Sequence, residues 1–309
     1  MMIKPKMIML VGLPASGKST KAEELAKTYN ANIHASDKIR EELGDINNQD
    51  NNQLVFQILH NRIKDDLKSG KNCIYNATNI NYKRRMDFIR RLNNIPCEKI
   101  CVLMATPYEE CLRNNANRDR KVPEEVIERM YKHFDVPYWY EDWDEIEIEY
   151  FPKSKDIFGC PIRWLDEVRD YNQENPHHAL TLGEHCETAW KNLCKNTTQN
   201  TRDVYLNIPL RIASILHDCG KPFTKVFKNS KGEDTEQAHY YSHEHCGSYD
   251  SLFYKMICSP LDVAVLVRWH MQMYFIENNE KAINKYKNLW GSRLYQDLFL
   301  LHEADKQAH

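Results

Sequence analysis

The strongest constraint on this chain is an eight-residue run near its start, Gly12-Leu-Pro-Ala-Ser-Gly17-Lys18-Ser19, which fits the spacing Gly-x4-Gly-Lys-Ser/Thr. The apolar run Met7–Gly12 leading into it reads as a buried strand, and Ser19–Tyr29 carries a helical pattern. A glycine-rich turn in that setting wraps backbone N–H groups around phosphate oxygens, and the helix aims the positive end of its dipole at them. Gly12, Ser16 and Gly17 then form the cradle, and Lys18 reaches the β- and γ-phosphates. Ser19, with Thr20 beside it, sits where Mg²⁺ accompanies a nucleoside triphosphate. ATP with Mg²⁺ is the pair such a loop calls for.

The residues that follow repeat the strand–helix alternation. Ala31–Ser36, Asn72–Thr78 and Glu98–Thr106 read as strands, and Gln53–Lys68, Arg84–Leu92 and Pro123–Phe134 as helices. Asp144–Tyr150 alternates acid and apolar residues like an exposed edge strand. This βαβ order predicts an α/β domain, a parallel sheet flanked by helices. From about Asp156 strand patterns vanish. Leu180–Cys194, Ile208–Cys219, Ser242–Ile257, Pro260–Gln272, Ala282–Leu289 and Gly291–Ala308 all carry helical periodicity, so an all-α domain is expected. With 309 residues, 42% of them hydrophobic, two ordinary cores fit: 1–152, a linker at 153–175, and 176–309.

A net charge of −2 excludes nucleic-acid binding by bulk positive charge, though local basic patches remain open. No apolar run nears the roughly 18–20 residues that cross a bilayer, so no membrane role is expected. The ten cysteines are scattered with no Cys-x-x-Cys pair, which fits free thiols in a reducing compartment and a cytoplasmic location.

Asp37 ends the second predicted strand, where open α/β sheets place ligand chemistry, and a carboxylate there can take the proton of an attacking hydroxyl. Arg40 lies three positions on and can hold an acceptor phosphate. Arg113, Arg118, Arg120 and Lys121 cluster before Pro123, an arginine segment of the kind that stabilises a transferring phosphoryl group. Residues 7 to about 150 resemble the kinase domain of phage-type 5′-hydroxyl polynucleotide kinases. The matching segments are GLPASGKST, SDKIR (Ser36–Arg40), NATNINYKRR (Asn76–Arg85) and RNNANRDRKVPEEVIERMY (Arg113–Tyr131). The resemblance implies Lys18 and Ser19 on ATP and Mg²⁺, Asp37 as general base, Arg40 on the acceptor, and Arg118 and Arg120 as lid arginines. Two positions depart from the pattern. Asn76-Ala77-Thr78-Asn79 lacks the usual aspartate, and Asn114 occupies the first lid-arginine place by strict spacing, with Arg113 one residue off.

A second constellation gathers among the histidines beyond residue 176. His217-Asp218 lies within an apolar helical stretch, with His185 before it and His243, His245, His270 and Asp305 after it. Imidazole and carboxylate ligate divalent transition metals, and a helical bundle can bring several such groups together. Residues 176–309 resemble the HD phosphohydrolase superfamily. The resemblance rests on TLGEHCETAW (Thr181–Trp190), ILHDCGK (Ile215–Lys221), HYYSHEHCGS (His239–Ser248), LVRWHM (Leu266–Met271) and LHEADKQAH (Leu301–His309). It implies His185, His217, Asp218 and Asp305 on a first metal, and Asp218, His243 and His270 on a second. Lys221 is then placed against substrate phosphate. Mn²⁺, Ni²⁺, Co²⁺, Fe²⁺ and Zn²⁺ all suit such ligands. His177, His178, Glu244, His245 and His302 are left as surface or supporting groups.

The two motif sets together predict a bifunctional RNA end-healing enzyme. It phosphorylates 5′-OH ends with ATP, hydrolyses 2′,3′-cyclic phosphate or 3′-phosphate ends, takes RNA or DNA ends as substrate, and hands them to an RNA ligase. Two alternatives stay open: a nucleoside kinase fused to a nucleotidase, and an ATP-binding regulatory sensor.

Overall fold

Short apolar strands separated by helices pair in parallel, because each helix carries the chain back across the sheet so that the next strand runs in the same direction as the last. The computed structural model describes residues 4–44, 52–176, 179–197 and 208–308, and the chain divides into two units. The first unit runs to Met130 and adds Pro137–Phe151. Its elements are β1 (Lys6–Val11), α1 (Lys18–Tyr29), β2 (Asn32–Ala35), α2 (Ser36–Glu42), α3 (Asn52–Lys68), β3 (Cys73–Asn76), α4 (Tyr82–Arg90), β4 (Glu98–Ala105), α5 (Tyr108–Ala116), α6 (Glu124–Tyr131, its last residue in the second unit) and β5 (Glu145–Tyr150).

The sheet order is β2-β3-β1-β4-β5, and every pairing is parallel. β1 is central, with Met7–Val11 buried, so the glycine loop leaves the carboxyl end of the middle strand. Ile8, Leu10, Ile74, Ile100, Val102 and Met104 pack against Ala22 and Leu25 of α1. That packing fixes the helix whose first turn follows the loop. Gly17 precedes α1 at φ +89°, a left-handed conformation that disfavours any side chain. β5 is an edge strand, as its acid–apolar alternation predicts.

The second unit comprises Tyr131–Val136 and the residues from Pro152 onward. It holds α7 (Pro161–Glu167), α8 (Leu182–Thr197), α9 (Ile208–Leu216), α10 (Lys221–Thr224), β6 (Lys225–Lys228), β7 (Asp234–Tyr240), α11 (His243–Asp250), α12 (Pro260–Trp269), α13 (Gln272–Ile276) and α14 (Glu280–Lys306). Helices α8, α9, α12 and α14 pack together, and α11 lies against α12.

Four sequence expectations need correction here. The 153–175 segment is more than a linker, because it carries α7 and buries Trp164, Leu165, Val168 and Gln173 in the second unit. The helix expected to reach Phe134 ends at Tyr131, and Tyr131–Val136 belongs to the second unit, where the Phe134 ring lies 4.6 Å from that of Tyr249. The second half is not all-α: β6 and β7 form an antiparallel hairpin whose polar, lysine- and acid-rich strands carry little apolar alternation. The helix expected over Ser242–Ile257 stops at Asp250. The two last predicted helices correspond to α14, broken at Gly291 by φ +78°. Among the described residues no helix is long and apolar enough to cross a membrane.

Candidate functional site

The glycine loop curls around its own lysine. Lys18 Nζ donates to the carbonyls of Gly12 (3.0 Å) and Leu13 (2.5 Å) and to Ser16 Oγ (3.3 Å). Desolvation inside the loop pulls this ammonium down to about 8; Cys111 and Asp37 oppose the shift, and Arg118 adds to it. A crowded cation held only by neutral oxygens is a site for an anion. Ser19 and Thr20 lie in the exposed first turn of α1, where the helix dipole also favours negative charge.

Asp37 is the second residue of α2, and its two oxygens face different arginines. Oδ1 takes Arg40 Nη1 at 3.0 Å and Oδ2 takes Arg120 Nη1 at 3.0 Å. Arg40 also donates to Asn52 Oδ1 at 2.8 Å. Arg118 Nε donates to Asn115 Oδ1 at 3.1 Å, and that oxygen also receives the Val122 N–H, which closes the arginine segment on itself. Burial, then the like charge of Arg120, lowers the Arg118 pKa. Lys18, Asp37, Arg40, Arg118 and Arg120 thus form one electrostatic group. Arg113 stands apart on an exposed face, paired with Glu110 of its own helix. Asn114, in the place of the first lid arginine, donates to the loop carbonyl of Ala15 at 3.2 Å. Arg85, within the basic NATNINYKRR run, is buried: it grips Glu141 through two 2.7 Å bonds and donates to Asn79 O at 2.7 Å.

In the second unit six predicted side chains converge from five helices or their ends. His185 comes from α8, His217 and Asp218 follow α9, His243 opens α11, His270 follows α12, and Asp305 is on α14; all are buried. Asp218 offers Oδ2 to His185 and His217, each at 3.4 Å, and Oδ1 to His243 (3.2 Å) and His270 (3.7 Å). Asp305 Oδ1 lies 3.1 Å from His185 Nε2 and 3.5 Å from His217 Nε2. Two candidate metal clusters result, His185-His217-Asp218 and Asp218-His243-His270, sharing one carboxylate.

The tautomers test whether this set suits cations. Each imidazole directs Nδ1 at a backbone carbonyl: His185 to Ala308, His217 to Ser214, His243 to Tyr240 and His270 to Val267. A carbonyl only accepts, so Nδ1 carries the hydrogen and Nε2 of the neutral ring presents its lone pair. Those lone pairs meet head-on, His185 with His217 at 3.1 Å and His243 with His270 at 3.2 Å. Two acceptors face to face repel unless a positive charge lies among them. The donor set therefore fits divalent metal, with backbone carbonyls fixing each ring.

The two carboxylates call for that positive charge. Burial opposes charge on His217, but Asp218 and Asp305 outweigh it and hold that group up at about 10, so in the absence of a cation a proton occupies the place a metal would take. Burial likewise works against Asp218, yet Lys221 and His217 keep its carboxyl well below the usual range. Lys221 Nζ sits 2.7 Å from Asp218 Oδ2. Gly220, just before it, allows the close crossing with α11: an added Cβ would lie 2.1 Å from His243 O.

Three supporting residues escaped the sequence reading. Gln173 Oε1 accepts from Lys221 Nζ at 2.8 Å, Tyr274 Oη donates to Asp305 Oδ2 at 2.9 Å, and Tyr240 supplies the carbonyl for His243. Gln173 lay in the presumed linker, and a tyrosine near His270 is not a metal signal. His302, left ambiguous, bonds Glu277 at 3.0 Å and sets its ring edge-to-face with Tyr274 at 4.4 Å. His245 donates to Phe134 O at 3.1 Å. His177 and His178 lie outside the described residues.

Residues 7–137 match the family described as AAA domain. L-seryl-tRNA(Sec) kinase of Methanococcus maripaludis is 27% identical over 172 residues, 54% of this chain and 66% of that protein. Protein kti12 of Schizosaccharomyces pombe is 21% identical over 209 residues, 63% of this chain and 73% of that protein. A chain of the Pnkp1/Rnl/Hen1 RNA repair complex superposes with a TM-score of 0.39 at 22% identity, over 42% of this chain and 44% of that one. The chain thus spans 66% of the kinase relative's length and less than half of the repair-complex chain's. The fold of the first unit is a five-stranded parallel sheet flanked by helices, with a glycine-rich loop of the phosphate-binding spacing leaving its central strand.

Proposed function

We propose that this chain heals broken nucleic-acid ends, adding phosphate to a 5′-OH with ATP in its first unit and hydrolysing 2′,3′-cyclic phosphate or 3′-phosphate ends in its second. The observation that carries the kinase half is Asp37, a carboxylate held between Arg40 and Arg120 and within the electrostatic field of Lys18. In transfer, the γ-phosphoryl leaves its bond to the β-phosphate oxygen and joins the acceptor oxygen. Asp37 takes the acceptor's proton. Arg40 holds the acceptor's phosphate, while Lys18, Arg118 and Arg120 balance charge on the moving group. Mg²⁺ beside Ser19 supplies further neutralisation when bound. The relative named as a kinase of L-seryl-tRNA(Sec) supports an RNA acceptor.

For the second half, His185, His217, Asp218 and Asp305 would hold one divalent ion, and Asp218, His243 and His270 another. Such ions, when bound, polarise a phosphoryl oxygen and make water acidic enough to act as a nucleophile near neutral pH. Lys221 carries the charge that a phosphate needs, and Gln173 holds it in place.

Labelled ATP and a 5′-OH oligoribonucleotide test the first activity: label should pass to the RNA, and Asp37→Asn should slow the transfer by about 10²–10⁴. Absence of transfer, or preference for mononucleosides in competition, would replace a polynucleotide acceptor with a small-molecule one. For the second activity, RNA ending in 2′,3′-cyclic phosphate should be opened with Mn²⁺, Ni²⁺ or Co²⁺. Full activity in Asp218→Ala would place the chemistry elsewhere.

A further inference from the structure

The β6–β7 hairpin adds little to the core of its unit, yet its base joins the metal cluster through a row of cations and rings. Lys221, 2.7 Å from Asp218, lies 5.4 Å from the centroid of the Tyr240 ring. Tyr240 pairs across the hairpin with Lys225. Lys225 in turn lies 5.0 Å from the Tyr171 ring and 5.7 Å from the Phe227 ring. Phe227 is 43% exposed, and so is a large apolar surface at the outer end of that row. Glu174 accepts from Lys225 at 3.0 Å and holds the ammonium between the two rings.

Alternating ammonium groups and aromatic faces are the chemistry that binds single-stranded polynucleotide: rings stack on bases whatever their identity, and lysines meet phosphates. A short oligopeptide or a sugar would not need both. In the outer half of the hairpin Lys228 and Lys231 are offset by Glu233, Asp234 and Glu236, so no net positive charge stands there and the lysines at the base carry the attraction for phosphate. We propose that the base of this hairpin binds the unpaired nucleotides next to the end being processed, with Phe227 as the stacking face and Lys225 as the phosphate contact. This rests on the reading of the metal cluster as a phosphohydrolase acting on polynucleotide ends.

The probe is a short 5′-fluorescein-labelled single-stranded oligoribonucleotide with a 3′-phosphate, followed by anisotropy with the full-length protein. Phe227→Ala should weaken binding about tenfold and Phe227→Trp should restore it, since stacking on any aromatic face serves. Lys225→Gln should weaken binding and lower the slope of log affinity against log salt by about one. Phe299→Ala, an exposed ring on α14, serves as the control for a generic loss of surface apolarity. With Mn²⁺, Phe227→Ala should also lower kcat/KM for a cyclic-phosphate-ended RNA about tenfold relative to that for bis(p-nitrophenyl) phosphate, which has no neighbouring nucleotides. Unchanged RNA binding in both hairpin variants overturns the proposal, as does an equal fall on the two hydrolysis substrates. A wild-type dimer that Phe227→Ala dissolves would assign the ring to self-association instead. If no metal supports hydrolysis but the variants still lose RNA, the surface stands and the phosphohydrolase reading falls.

Discussion

Asp218 shows how much one side chain can settle. Its two oxygens face different histidine pairs, so its removal should release metal from both clusters rather than one. Metal analysis of Asp218→Ala should show both sites depleted, whereas His270→Ala should deplete only one. Tyr274 acts at one remove, through its 2.9 Å bond to Asp305. Tyr274→Phe should weaken Mn²⁺ binding about tenfold, measured by titration, the usual effect of losing a group that orients a ligand. In the first unit, Asp37→Asn should lower kcat for phosphoryl transfer by about 10²–10⁴ and leave KM for ATP nearly unchanged, because the proposed role of Asp37 is toward the acceptor rather than the nucleotide.

At the level of elements, the crossing of α10 and α11 is set by Gly220. A methyl group there would meet His243 O at 2.1 Å and Gly247 N at 2.6 Å, both backbone atoms. Gly220→Ala should destabilise the second unit by about 1–3 kcal/mol in urea unfolding and reduce its metal content. In α3, His60 packs against Phe88 with ring centroids 4.4 Å apart and bonds Tyr75 Oη at 3.0 Å. Burial, with help from Arg91 and Lys64, holds His60 down at about 4. The folded protein therefore resists protonation that the unfolded chain accepts below about 6.5. Stability from this group is complete above that pH and falls as pH drops toward 4. Between pH 7.5 and 5 the loss should be about 1–2 kcal/mol, and His60→Phe should abolish that part of the pH dependence in denaturant titrations. The Tyr131–Val136 segment depends on a different contact, the ion pair of Asp135 with Arg268 at 2.8 Å. Both groups are mostly buried, so Asp135→Ala should cost about 3 kcal/mol by leaving the guanidinium without that hydrogen-bonded carboxylate and with only Glu244 nearby.

Across the whole molecule, each unit carries its own candidate chemistry, so single substitutions should separate the two activities. Asp37→Asn should keep cyclic-phosphate hydrolysis and Asp218→Ala should keep phosphoryl transfer, checked on one RNA bearing both ends. Much of this division could be read before any coordinates. The Gly12–Ser19 loop, the strands around it, the helices bearing His185 and Asp305 and the helix leading into His217 follow from chemistry that is local along the chain: a turn that only glycine permits, alternation at period two, apolar faces at period 3.6. What stayed hidden was settled by partners distant in sequence. Nothing in the run NATNINYKRR marks Arg85 as the residue that Glu141 buries, and nothing in the segment 153–175 marks Gln173 as the acceptor for Lys221. The hairpin and the placement of Tyr131–Val136 were illegible for the same reason, since neither polar strands nor a six-residue segment announces what it will pack on. Sequence by itself determined which residue types and local backbone shapes were available. Tertiary structure alone decided which of them meet, because burial and pairing depend on groups that chain order does not bring together.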